Sequence, residues 1–390
     1  MSSPGSDPEL ANLRRSSAAF PGRLGLLQRI LPAYRADFFD LLAQTCAGGL
    51  SVFAGDPTSG EGIQPASPLA HAKLHKADNF HFLSPGHPLY FCWQGGLIRW
   101  VEGWDPDALI LEANPRYLSS TRAVRWMRAR KRPVLGWGLG APSGKGPMEG
   151  IRRRRQSKFL SNFDALIAYS ARGAEEYAET GYPSSRIFVA PNAASPRPVA
   201  QPVKAAPALE GPRTVLFIGR LAERKRVDNL IRACSSLPDP LKPRLLIVGD
   251  GPARTSLGIL ADELYPLAEF PGAVHGPDLE PYYSTADLFV LPGTGGLAVQ
   301  EAMAHGLPVV VATGDGTQSD LVRPENGWNV ADGDAAALAQ VLEVALKDPA
   351  RLRAMGNESF RIARDEINLE KMVEVFIEAL NHALRSRADS

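Results

Sequence analysis

Apolar residues follow two rhythms that alternate along most of the 390-residue chain. Short unbroken apolar runs include Asp107–Leu111 (DALIL), Pro133–Trp137 (PVLGW), Phe163–Tyr169 (FDALIAY) and Arg186–Ala190 (RIFVA). Between them lie longer stretches whose apolar positions recur at helical spacing. A short run that is apolar throughout is buried on both faces, which is the pattern of a strand in a parallel sheet covered by helices. Gly22–Ile30 and Leu50–Ala54 predict the first strands, and Ala36–Cys46, Tyr117–Arg130, Lys145–Asn162 and Ala171–Thr180 predict helices. Trp93–Trp104 also reads as helical. Residues 65–90 fit neither rhythm.

The alternation stops at Ser195–Gly211 (SPRPVAQPVKAAPALEG), a proline- and alanine-rich stretch with the character of a linker. It then restarts with strands at Thr214–Gly219, Arg244–Gly249, Phe270–Val274 and Asp287–Leu291, separated by helices at Val227–Leu237 and Ala253–Leu264. Helices Ala335–Ala345, Arg351–Arg364 and Leu369–Arg387 end the chain, the last with no strand to follow it. The fold class expected is α/β, with two doubly wound, Rossmann-like domains facing across a cleft. The boundaries read as a disordered tail at 1–20, a first domain at 21–195, a linker at 196–211 and a second domain at 212–368.

Composition narrows this picture. No apolar stretch is long enough to span a bilayer, and the polar N-terminus lacks the apolar core of a secretion signal, so a cytoplasmic protein is expected. Cys46, Cys92 and Cys234 are far apart and odd in number, which argues against a disulfide frame and a zinc site. The net charge of +1 conceals an asymmetry, for residues 1–190 carry +7 and the remainder −6. A basic first half suggests an anionic partner there, with nothing to suggest nucleic acid.

The chemistry concentrates in Leu291–Val311 (LPGTGGLAVQEAMAHGLPVVV). Gly293, Gly295 and Gly296, with Thr294 between them, form a loop that allows close backbone approach to a ligand. A helix beginning near Gly296 and Leu297 offers bare amides and a positive dipole end to an anion. Glu301 stands in an otherwise apolar stretch and needs a partner, which a hydroxyl-rich ligand would provide. In doubly wound sheets ligands sit at strand carboxyl ends, so the loop after Gly219 should face the same place. That loop brings Arg220 and Lys225, two cations suited to a diphosphate and to the charge that grows on it as it leaves. The turn His275–Gly276 could border a flat base. No acidic pair stands at a strand end to hold a metal, since Asp105 and Asp107 precede their strand.

The runs FIGRLAERKRVDNLI, LLIVGDGP, VHGPDLEPYYSTADLFVLPG, GLAVQEAMAHGLPVV and ENGWNV occur in that order between residues 214 and 330. In these the chain resembles the C-terminal domain of GT-B glycosyltransferases, specifically the large retaining family 4 group. The resemblance implies a nucleoside-diphosphate sugar donor, with UDP ahead of GDP, and no cofactor. Arg220 and Lys225 fall on the family's diphosphate-binding pair, Glu301 on its ribose-binding carboxylate, Gly296 and Leu297 on its phosphate-binding amides, and His275–Gly276 on its base-facing loop. The resemblance also implies that the last helix, 369–390, crosses back onto the first domain. Gly293 occupies a position where the family often carries a second glutamate, and Trp137–Gly140 lacks the family's histidine near the sugar. A GT-B epimerase and a non-catalytic sugar-nucleotide-binding homologue are the alternatives.

The first half should hold the acceptor, a sugar or a lipid-linked or otherwise anionic glycan precursor. Its candidate loops are Leu31–Arg35, with Tyr34 and Arg35, Glu112–Tyr117, with Glu112 and Asn114, and Trp137–Pro142, with Trp137 and Gly138. Arg152–Arg155 lie on a predicted helix, where four successive residues span about 300° of the circumference. With Ile151, Phe159, Leu160 and Phe163 marking the buried side, Arg155 should point inward or along the cleft, and it or Arg152 should meet an anionic acceptor or lipid headgroup. Peripheral association with an anionic membrane is the expectation that follows.

Overall fold

The structure is a computed structural model that describes residues 19–58, 61, 63–66, 68–85, 87, 89–141, 149–200, 211–314 and 318–388. The chain divides into two compact units, one formed by 1–194 with 369–390 and the other by 195–368.

The first unit is built on strands β1 (Leu24–Ile30), β2 (Leu50–Gly55), β3 (Lys73–Lys76), β4 (Asp78–Phe82), β5 (Phe91–Gly95), β6 (Ala108–Glu112), β7 (Val134–Gly138), β8 (Ala165–Ala168) and β9 (Ile187–Val189). Seven of them form one sheet in the order β3-β2-β1-β6-β7-β8-β9, parallel throughout. Helices α1 (Ala36–Gln44), α2 (Leu97–Trp104), α3 (Ser120–Ala129), α4 (Glu149–Leu160) and α5 (Ala171–Glu179) connect the strands. Strand alternation sorts the apolar side chains into two cores, one on each face. Leu26, Val52, Ile110 and Leu135 face one way, Leu27, Phe53, Leu109 and Leu166 the other.

The second unit carries β10 (Thr214–Ile218), β11 (Arg244–Val248), β12 (Ala268–Gly272), β13 (Leu288–Leu291), β14 (Val309–Ala312) and β15 (Gly327–Val330). These form a parallel sheet in the order β12-β11-β10-β13-β14-β15. Its helices are α6 (Val227–Ser235), α7 (Arg254–Leu264), α8 (Glu280–Thr285), α9 (Leu297–Ala304), α10 (Gln318–Leu321), α11 (Ala335–Leu346) and α12 (Pro349–Asp365). The final helix, α13 (Leu369–Ala388), belongs to the first unit, where Met372, Val373, Phe376, Ile377 and Leu380 close one of its two cores. Arg387 anchors the end of α13 by donating to Asp164 Oδ1 at 3.0 Å. Both sheets reverse direction beside their first strand, between β1 and β6 and between β10 and β13, and such reversals open a crevice at the strand carboxyl ends.

Several expectations need correction. Trp93–Trp104 is not one helix, because Gly96 takes the left-handed conformation (φ 80°) and splits it into a strand and a helix. Residues 65–90, which fit no pattern, supply β3 and β4. The tail does not extend to 20, since Phe20 is fully buried and bridges to Cys46. Residues 1–18 of the expected tail and 201–210 of the expected linker lie outside the described residues, as do 145–148 of the helix expected from Lys145.

Candidate functional site

In the second unit, the loops after β10 and β13 flank the point where the sheet reverses. They dock on each other backbone to backbone. Thr294 N donates to the Arg224 carbonyl at 3.1 Å, and Lys225 Nζ donates to the Thr294 carbonyl at 2.6 Å. Gly293 is buried here, and a Cβ at that position would strike the Arg224 carbonyl oxygen and lie 2.6 Å from the Lys225 carbonyl carbon. A glutamate at 293 would therefore force the two loops apart, which explains glycine there in physical terms. The turn after β11 is packed equally closely, for a Cβ on Gly249 would overlap the Gly219 carbonyl oxygen.

Lys225 is half-buried and has an ammonium with reduced proton affinity. Burial, and then the charge of Arg224, push its pKa down to about 8. Next to it α9 begins at Leu297. Its N-cap, Gly296, offers no side-chain cap; Val299 N turns back to the Gly296 carbonyl at 3.1 Å, and the amides that precede it are without a side-chain cap. A buried cation and uncapped amides at one strand end make a site for an anion. Arg220 is exposed on the loop that follows β10.

Glu301 lies in the second turn of α9 and is half-buried. The Tyr283 phenol is raised well above its usual range, by burial first and then by the Glu301 charge. His305 stacks on Tyr283 with centroids 4.2 Å apart, donates from Nδ1 to the Glu301 carbonyl at 2.8 Å, and meets Glu280 through Nε2 at 2.9 Å. This stack fixes the carboxyl end of α9. His275 and Gly276 are exposed at the turn after β12, and Gly276 has φ 58°.

Two contributors left no sequence signal. Arg224 lends its carbonyl to the Gly-rich loop and its Nη1 to the Thr294 hydroxyl at 3.3 Å. Gln318, on α10, is buried and donates from Nε2 to the Gly295 carbonyl at 3.2 Å, while its Oε1 has no hydrogen-bond partner. Nothing in the spacing of a lone glutamine could have placed it beneath this loop.

In the first unit the equivalent reversal gathers polar groups from the loops after β1 and β6. Glu112 accepts from Arg29 N at 2.6 Å, and burial raises its pKa. Arg29 pairs with Glu61 at 2.5 Å, with little of either side chain exposed, and the pair holds the Glu61 carboxyl down to about 2. Arg35 is buried at 5% exposure. Its guanidinium lies 4.4 Å from the Trp137 ring centre and its Nη2 donates to the Tyr169 hydroxyl at 3.0 Å, while Nη1 has no hydrogen-bond partner. Tyr34 is 40% exposed at the same loop, and Asn114 folds back to accept from Arg116 N.

Other acceptor-side expectations are overturned. Trp137, expected in an acceptor loop, is instead a core residue at 1% exposure, enclosed by Phe38, Phe39 and Phe376. Gly138 leaves room for Tyr177, whose hydroxyl would lie 2.7 Å from a Cβ there. Arg152 and Arg155 do not point inward. All of Arg152–Arg155 are exposed, and Ile151 is 55% exposed. The physical reason is that α4 is buried only where it ends, at Leu160 and the following Phe163, so its first turns have no apolar side to direct an arginine inward. Pro142 lies outside the described residues. A separate cavity of about 510 Å³ opens beside the carboxyl ends of β2 and β3, with Leu31, Ala66, Leu69 and Leu74 in its wall and Asp56 and Lys76 at its edge. Among the described residues no cluster of His, Cys, Asp and Glu is arranged to hold a metal ion, and no helix is long and apolar enough to cross a membrane.

Comparison with known proteins agrees with this arrangement. Residues 212–348 match the glycosyl transferases group 1 family and residues 52–193 match the glycosyl transferase 4-like domain. A lipopolysaccharide core biosynthesis glycosyltransferase of Rhizobium meliloti is 26% identical over 74% of this chain and 90% of its own length. A GDP-mannose-dependent mannosyltransferase of Corynebacterium glutamicum that acts on a phosphatidylinositol monomannoside is 33% identical over 43% of the chain and 45% of its own length. Among solved structures, sucrose-phosphate synthase of Thermosynechococcus elongatus aligns with a TM-score of 0.64 at 19% identity, covering 93% of this chain and 99% of that one. Anabaena HepE in complex with UDP aligns with a TM-score of 0.64 at 16% identity, covering 92% and 99%. With both halves matched in order and both sheets doubly wound, the chain belongs to the GT-B glycosyltransferases of group 1, the family 4 type.

Proposed function

We propose that this glycosyltransferase is retaining and metal-independent, and that it moves a hexose from a nucleoside-diphosphate sugar, UDP ahead of GDP, to a lipid-linked or otherwise anionic glycan precursor. The observation that carries the donor half is Lys225, a cation of lowered pKa held beside uncapped helix amides at a sheet reversal. Here the diphosphate would take its charge from Lys225 and Arg220 and its hydrogen bonds from the amides of Gly295, Gly296 and Leu297. As the bond from the sugar to phosphate breaks, charge grows on the leaving oxygens, and groups already aimed at that place stabilise it without reorganisation. These cations would do the work a divalent ion does elsewhere. Glu301 would hold the ribose hydroxyls, and the turn at His275 and Gly276 would border the base. HepE, which has the same fold, was solved with UDP, and this supports the nucleotide reading.

On the acceptor side, the unpartnered Nη1 of the buried Arg35 would meet a hydroxyl or anionic oxygen, and the half-buried Glu112 would accept from a hydroxyl. Tyr34 and Asn114 would border them.

Nucleotide release measured with UDP- and GDP-sugars, with and without a glycan or lipid-linked acceptor, tests the whole reading. Release is expected only with acceptor present, with the donor's anomeric configuration kept in the product and with turnover unchanged by EDTA. Loss of turnover in EDTA would refute metal independence. A sugar altered without acceptor would make the protein an epimerase, and binding without turnover would make it a non-catalytic subunit.

A further inference from the structure

The hairpin β4–β5 presents the wrong face to water. Its register pairs Asn79 with Gln94, Phe80 with Trp93, His81 with Cys92 and Phe82 with Phe91. Residues 116–118 meet its edge through one isolated parallel bridge between Cys92 and Tyr117, with Cys92 N donating to the Arg116 carbonyl and Leu118 N donating to the Cys92 carbonyl, both at 3.0 Å. Alternation then divides the side chains. The inward set is mostly polar. Asn79 Nδ2 donates to the Arg29 carbonyl at 2.8 Å, Gln94 Nε2 to the Gln28 carbonyl at 3.0 Å, and His81 meets the Tyr90 hydroxyl at 2.8 Å. The outward set is apolar, with Phe80 56% exposed, Phe82 55%, Phe91 39% and Leu118 41%. Leu83 and Leu89, beside the tip, are exposed as well. A half-buried sheet in water has the opposite arrangement, and a contiguous exposed apolar patch marks a docking surface.

The charges around the patch indicate what docks. Arg116 lies on the same outward face, and the Arg122 guanidinium sits 4.7 Å from the Trp93 ring centre. Arg125 is exposed one turn further along α3, whose first turn carries no acid. The acidic outward position, Asp78, is at the hairpin's base, away from the tip. Aromatic rings rimmed by arginines suit the interface of an anionic bilayer, where rings settle at headgroup level and cations meet phosphates. A two-fold contact with a second copy would instead bring the arginine rims of both copies into one interface. We propose that the outward face of β4, β5 and residues 116–118 is a peripheral docking surface for anionic membranes, with Phe82, Phe91 and Leu118 entering the interface and Arg116 and Arg122 meeting headgroups. This reading is independent of the donor site.

The test is sedimentation with vesicles of equimolar phosphatidylcholine and phosphatidylglycerol, and with phosphatidylcholine alone. Binding to the anionic vesicles is expected at low salt and should weaken at about 1 M salt, where screening acts within about 3 Å. The double variant Phe82→Ser/Phe91→Ser should lower partitioning about a hundredfold or more, since each buried ring is worth about tenfold or more. Arg116→Glu/Arg122→Glu should remove the preference for anionic lipid. Both variants change exposed side chains, and unchanged thermal midpoints would show that they fold. Arg152→Glu/Arg155→Glu should leave binding intact. The proposal is overturned if the wild-type chain ignores the vesicles, if only the Arg152/Arg155 variant loses binding, or if the chain is a dimer that Phe82→Ser/Phe91→Ser makes monomeric.

Discussion

If Lys225 is the cation that receives the diphosphate, donor affinity must depend on pH above neutrality, and the structure sets the size of the effect. In the free protein the ammonium titrates near pH 8, against an ordinary value of 10.5. A bound diphosphate replaces lost solvation with opposite charge and raises the pKa towards its ordinary range. The sign follows directly. Below pH 8 lysine is charged with or without ligand, and affinity is flat. Above pH 8 the free protein loses the proton and the complex keeps it, so binding must take up a proton and affinity falls about tenfold per pH unit. With the pKa of the complex restored to about 10.5, the loss between pH 7 and pH 10 approaches about 100-fold, or about 2.7 kcal/mol. Titration calorimetry with UDP or GDP at pH 7, 8, 9 and 10 measures this, and comparing buffers of different ionisation heat at pH 8 should show uptake of about half a proton. Lys225→Ala, measured across the same range, removes any contribution from titration of the base. A wild-type affinity that stays flat to pH 10, or a slope that survives in Lys225→Ala, would refute the assignment of the diphosphate to this side chain.

The same buried ammonium predicts the reverse trend for the empty protein. Its unfolded form binds the proton more tightly, so stability should rise between pH 8 and pH 10.5 by up to about 3 kcal/mol, a gain absent in Lys225→Ala. Gly293→Ala should cost about 1–3 kcal/mol in denaturant unfolding and weaken the donor as well, because the new methyl meets the Arg224 carbonyl; an unchanged midpoint with unchanged affinity would contradict the loop packing. Glu61 titrates near 2 when folded and near 4.5 when free, so its pair with Arg29 contributes fully above pH 4.5 and is lost as pH falls towards 2. That part of acid destabilisation, up to about 3 kcal/mol, should vanish in Glu61→Gln, which at neutral pH unfolds more easily because it strands the Arg29 charge. Trp137→Ala should destabilise by about 3–5 kcal/mol, as expected for a core aromatic, with donor affinity unchanged in whatever fraction remains folded; a folding-neutral loss of acceptor use would return Trp137 to the acceptor side.

The amino-acid sequence alone determined the layered architecture, because unbroken apolar runs can only be strands covered on both faces, and such strands must be linked by helices. It also pointed to the two loops of the candidate site, because glycines, cations and a helix start lie close together in the chain at Gly219–Lys225 and Gly293–Leu297, and strand ends bring such local groups to one rim. Tertiary structure decided what depended on distant neighbours. Trp137 became core because Phe38 and Phe376 arrive from α1 and α13, far away in sequence. Arg152 and Arg155 stayed in water because α4 is buried at its carboxyl end rather than along its first described turns, although the spacing of Arg155 from Phe159 suggested an inward side. Gln318 reached the Gly295 carbonyl from 23 residues away with no pattern to announce it. The outward aromatics of β4 and β5 emerged only once the inward polar set had found Arg29 and Gln28, for alternation specifies that two faces exist, and only the partners present decide which one is buried.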